Sequence, residues 1–206
     1  ILGSNLPMQR LLGAAPPLSS PPALVPAYAR NPAPAPVAAD LADSSAAPQH
    51  AEISAKAAEL GFEYTRILDF VRSSIKTEWY PGSQRGALGA LRSRAANDVD
   101  QASLLIALLR ASNIPARYVH GIAELPIANL ADSLGLQGAP AVLKALNRAL
   151  RPHRPITQAG LIAAVEVELT WVSAFVPFVN YRGAAIADRG RTWPVSYTHL
   201  RAHETK

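Results

Sequence analysis

A chain of 206 residues suffices for one domain with a real core and excludes two large ones. Hydrophobic residues make up 49% but aromatics only 6%, so much of the apolar share is alanine and the expected core is small; the absence of cysteine excludes disulfides, thiolate metal sites and a cysteine nucleophile. The net charge of +5 is carried by basic residues scattered singly along the chain, which argues against a nucleic-acid partner.

The N-terminus begins at Ile1 without a signal-peptide pattern and reads as truncated or processed. Residues 1–50 read as a linker or leader, largely disordered, because from Leu6 to His50 proline, alanine and serine dominate and no helical or strand period is sustained. A short helix near Met8 to Leu12 is the other reading of that segment.

The folded unit is expected from Ala51 to Pro194. Ile67, Leu68, Val71 and Ile75 recur at helical spacing with Phe70 beside them, and Trp79-Tyr80-Pro81-Gly82 enforces a turn after this amphipathic helix. A loop from Gly82 to Gly89 leads to Asn97-Asp98. From Asp98 to Ser112, Leu104, Leu105, Leu108 and Leu109 crowd a helix so densely that it must be central and buried. Asp98 is its expected N-cap, and Asn113-Ile114-Pro115 its stop. Ala116 to Ile122 reads as a strand. Ile127 to Leu134 and Ala141 to Leu150 read as helices, the second broken by Arg151-Pro152-His153-Arg154-Pro155. Alternation of Val165, Val167, Leu169 and Trp171 with polar residues gives a second strand over Ala163 to Val176. Helices followed by strands with a helical insertion indicate an α+β fold. Prolines and charges interrupt every apolar stretch before it could span a bilayer.

The run from Asn97 to Val119, with its Leu108-Leu109-Arg110-Ala111 and Ile114-Pro115-Ala116-Arg117-Tyr118-Val119 segments, resembles the transglutaminase-like superfamily. A second block, Glu168 to Pro177, is similar to that family's H-x-W-V-E-A-Y-V-P strand. The resemblance is narrower toward bacterial domains of large repeat-rich surface or toxin proteins. It implies a papain-like core, with a buried central helix packed on an antiparallel sheet and a helical insertion between strands.

The family's chemistry is protein-glutamine acyl transfer or cysteine-peptidase-like cleavage. A cysteine opening the helix attacks an amide carbonyl, a histidine on the next strand acts as base, and an aspartate orients it. A helix N-terminus and a nearby imidazolium both raise the thiolate population, which explains the placement. The resemblance puts the cysteine position at Asp98 and the histidine position at Leu169, and finds no counterpart of the aspartate after Trp193. All three triad positions are vacant, so the chain is expected to be inactive. The candidate site lining is Asp98, Asp100, Arg117, His120 and Trp171, with no metal and no cofactor implied.

The segment Val195 to Thr205 back-translates as read-through of a transposon-based sequencing-library adapter, so 195–206 are read as non-native. On that reading the fold lacks its last strands and leaves an uncovered edge around Val172, Phe175 and Phe178. Two functional readings follow. The first is a non-catalytic module that binds or scaffolds, with a protein or peptide partner and the remainder of a longer polypeptide around it; the second is a non-thiol enzyme using Asp98, Asp100 and His120. The compartment is open from composition, and the resemblance points to an extracellular or cell-surface setting.

Overall fold

The computed structural model describes residues 34–177, 191–192 and 195–196. The readings made on Met8 to Leu12, Phe178, Trp193 and the tail after Ser196 fall outside the described residues. In chain order the elements are α1 (Ala51–Glu59), α2 (Tyr64–Ser74), β1 (Lys76–Thr77), α3 (Gly86–Ser93), β2 (Ala95–Ala96), α4 (Asp98–Ala111) and β3 (Ala116–Pro126). They continue with α5 (Ile127–Leu134), α6 (Gly138–Arg148), β4 (His153–Gln158), β5 (Leu161–Ala174), β6 (Val176–Pro177), β7 (Arg191–Thr192) and β8 (Val195–Ser196). The fold is α+β, as the sequence indicated, with α5 and α6 inserted between β3 and β4.

The main sheet has the order β3-β5-β4. β4 runs antiparallel to β5, with His153 opposite Val167 and Gln158 opposite Leu161. The described residues divide into two compact units: one holds 34–78, 82–121, 169–177, 191–192 and 195–196, the other 79–81 and 122–168.

In the first unit α4 is the hub, and α1, α2 and α3 all pack on it. Leu104, Leu105, Ile106, Leu108 and Leu109 have no exposed surface at all, and Ile53, Ile67, Val71, Val172 and Ala174 close around them. Each such aliphatic side chain contributes about 1.5–3 kcal/mol of burial. The small core expected from composition takes this form: Ala57, Ala87, Ala90 and Ala102 are fully buried.

α4 stops as its sequence predicts. Asn113 is left-handed at φ 57°. Its N–H donates to Arg110 O and that of Ile114 to Leu109 O, both at 2.9 Å, which is the paired closure of a Schellman motif.

Three of the longer elements differ from the sequence reading. α3 begins at Gly86, inside the segment read as a loop; glycine-rich propensity hides it, and burial of Ala87, Ala90 and Leu91 along one face holds it. α1 also goes unforeseen, although the folded unit was expected to start at its first residue. β4 occupies the proline-broken stretch, because Pro155 sits on the outermost strand of the β3-β5-β4 order, where a missing N–H costs no ladder bond.

Val172 also departs from expectation. It has no exposed surface, and β8 pairs alongside it with Ser196 opposite Val172 and Val195 opposite Ser173. At Val172 and Ser173 the edge expected to be uncovered is paired by two residues of the segment read from sequence as non-native. Phe175 is half-buried, and its N–H donates to Pro115 O at 2.8 Å.

In the second unit α5 and α6 pack together, burying Ile127, Leu130, Val142 and Leu146. The β4–β5 hairpin turns at Ala159 and Gly160, with φ 50° and 78°, the paired positive values that match strand twist. Arg151 is buried with its guanidinium 5.7 Å from the Trp79 ring centre, and desolvation pushes its pKa down to about 10, against the opposing pull of Tyr80 and Glu168.

Candidate functional site

The site sits at the N-terminal end of α4, where the first backbone N–H groups of a helix lack partners within it. Asn97, not Asp98, is the N-cap: its Oδ1 accepts from Asp100 N at 2.9 Å. Its Nδ2 donates to Gly82 O at 2.6 Å. Both residue types cap well, but only an amide can accept from the helix and donate to the loop at once, which is why the expectation for Asp98 fails.

Asp98 is therefore the first helical residue. It is buried, and its Oδ2 accepts from Thr170 N on β5 at 2.7 Å. A carboxylate at this position suits the positive end of the helix dipole.

Asp100 has no exposed surface, and each of its oxygens accepts two hydrogen bonds. Oδ1 takes Ser83 Oγ at 2.6 Å and Gly86 N at 3.0 Å; Oδ2 takes Gln84 N at 3.1 Å and Arg85 N at 2.9 Å. Arg85 is right-handed and Gly86 has φ 59°, the succession that turns consecutive N–H groups toward one anion. The carboxylate has about four acceptor positions, and all are used.

On β3 and β5 the side chains separate onto two faces. Tyr118 donates from its hydroxyl to Ser103 Oγ on α4 at 2.9 Å, and Ser103 Oγ donates to Val99 O at 2.8 Å. Burial raises the Tyr118 phenol above its ordinary pKa, with the Ser103 bond and Arg110 opposing. His120, exposed, shares a 2.9 Å hydrogen bond between its Nδ1 and Thr170 Oγ1. On the other face the Trp171 indole lies so close to Gly121 that a Cβ there would fall 3.0 Å from the ring. Arg117 is half-buried on β3 and by alternation shares the Gly121 side.

The structure thus brings Asp98, Thr170 and His120 into one chain of contacts, and directs Asp100 into the 83–86 loop. Leu169 is buried next to Thr170, but it and Trp171 lie outside the apolar cluster that joins Val172 and Ala174 to α4. At Asp98 it is therefore the Thr170 main chain that makes the contact. Asn97, Thr170, Ser83, Ser103 and Tyr118 were not picked out by sequence reasoning. Asn97 carried a signal, an amide residue three positions before an acid; Thr170 carried none beyond an ordinary strand threonine.

Chemically, the arrangement ties helix, loop and strand through carboxylates that accept main-chain N–H groups. Among the described residues, no cluster of His, Cys, Asp and Glu side chains is arranged to hold a metal ion, and no helix is long and apolar enough to cross a membrane.

Comparison with known families matches residues 49–174, more than half of the chain, to the transglutaminase-like superfamily. No curated protein and no solved structure matches the chain.

Proposed function

The chain belongs to the transglutaminase-like superfamily, and from that premise we propose that it is a non-catalytic member, a binding or scaffold module of a larger protein. The observation that carries the reading is the engagement of Asp98. At the position that the sequence resemblance assigns to the family's thiol, a buried carboxylate accepts the Thr170 N–H at 2.7 Å, and the chain contains no cysteine to take over the role. Asp100, with both oxygens doubly bonded to the loop, is equally unsuited to move a proton. On this reading the vacated triad positions are Asp98 and Leu169, and the module works by holding a protein or peptide. The sequence blocks around Asn97 and Glu168 favour a bacterial surface or toxin protein as its setting.

Incubation with a glutamine-containing casein and a labelled amine tests the catalytic half of the proposal. The expected result is no incorporation above the protein-free blank. Incorporation by the wild type that disappears in Asp98→Asn would overturn the reading in favour of a non-thiol site around Asp98, Asp100 and His120.

A further inference from the structure

At the opposite end of α4, Arg110 carries an arrangement that the functional reading does not use. Its guanidinium donates to four main-chain carbonyls: Nε to Asp40 O at 3.1 Å, Nη1 to Ala42 O at 2.5 Å, and Nη2 to Ala39 O at 3.2 Å and Ala116 O at 3.0 Å. Three of these belong to a short 3-10 turn, Ala38–Asp40, and its continuation, within the segment read from sequence as leader.

That segment is closed on itself at Asp40 and tied to the domain at Ala46 and Ala47. Asp40 is buried, its Oδ2 accepts from Val37 N at 2.9 Å, and its own N–H donates to Val37 O at 2.9 Å. Ala47 is buried in the core of the first unit, and Ala46 O accepts from Ala87 N on α3 at 2.9 Å.

We propose that residues 37–47 are a strap of the domain, gripped through its main chain by Arg110 at the C-terminal end of α4. The physical case has three parts. Ala38, Ala39 and Ala42 offer Arg110 no polar side-chain handle, so the main-chain carbonyls of this stretch are what it can hold. A guanidinium presents five N–H donors in a rigid plane and can serve several carbonyls at once, which an ammonium cannot match. A cation is also favoured at the negative end of the helix dipole. Burial lowers the Arg110 pKa while Tyr118, Asp40 and Asp43 oppose that shift, as expected for a guanidinium drawn partly out of water. A helix of 14 residues is about 20 Å long, so the anchor lies far from Asp98.

Amide hydrogen exchange on the full chain tests the strap, comparing wild type with Arg110→Met, Arg110→Lys and Asp40→Ala. The account expects the Asp40, Leu41, Ala42 and Ala87 amides to exchange about ten-fold faster in Arg110→Met, with a smaller acceleration in Arg110→Lys. The Asp100 and Gln101 amides should keep their protection. Should Arg110→Met unfold the whole domain, Asp40→Ala decides, because it alters only the strap and should produce the same local loss. Unchanged exchange at residues 40–42 in both Arg110→Met and Asp40→Ala, or equal acceleration across the whole domain in Asp40→Ala, overturns the proposal.

Discussion

The two ends of α4 solve the same problem with opposite charges. At the N-terminal end, buried Asp98 and Asp100 accept main-chain N–H groups from Thr170 and from the 84–86 loop. At the C-terminal end, Arg110 donates to main-chain carbonyls of residues 39–42 and to Ala116 O. Each sign matches the helix dipole. The difference is solvent: Asp100 has no exposed surface, whereas two of the strap contacts of Arg110 are exposed. Water can replace a lost partner at the C-terminal end but not at the N-terminal end. The N-terminal end is thus the more tightly built, with its two acids engaged by main-chain N–H groups.

The largest effect should come from Asp100→Ala, which strands three backbone N–H groups and the Ser83 hydroxyl without acceptors. A loss of about 3–4 kcal/mol in urea unfolding is expected, and the comparison of the two ends breaks if Arg110→Met costs more. Asp98→Ala should come next, at about 2 kcal/mol, since it removes one charge-assisted bond to the Thr170 N–H. Asp98→Asn keeps an acceptor oxygen and should lose about half as much.

Between the ends, Tyr118→Phe should cost about 1 kcal/mol, because Ser103 retains its bond to Val99 O. It should also change the alkaline limb. The folded phenol has a raised pKa, so as pH climbs past 10 the unfolded chain loses its proton first and stability falls. Unfolding curves between pH 9 and 11 should show a shallower decline in Tyr118→Phe than in the wild type.

What the sequence made legible was local. The Asn113-Ile114-Pro115 stop of α4 and the span of α5, flanked by Pro126 and Gly135, follow from neighbouring residue types, and the alternation along β5 follows from its period of two. α3 was hidden because tertiary burial, not propensity, holds its glycines in a helix. At the site, Asp98 and Asp100 stood out through their place at the start of the central helix. That Asp98 meets Thr170, that Asp100 reaches the 83–86 loop, and that Arg110 grips residues 39–42 are long-range main-chain contacts, and no residue type in those partner segments marks them.

The claim that the carboxylate at the start of α4 is structural is tested most directly at its own partner. Hydrogen exchange of the Thr170 amide should be slow in the wild type and accelerate about ten-fold or more in Asp98→Ala, while Leu108 and Leu109 on the C-terminal half of α4 remain protected. Equal protection of the Thr170 amide in both proteins would mean that Asp98 does not hold the strand, and would contradict the account.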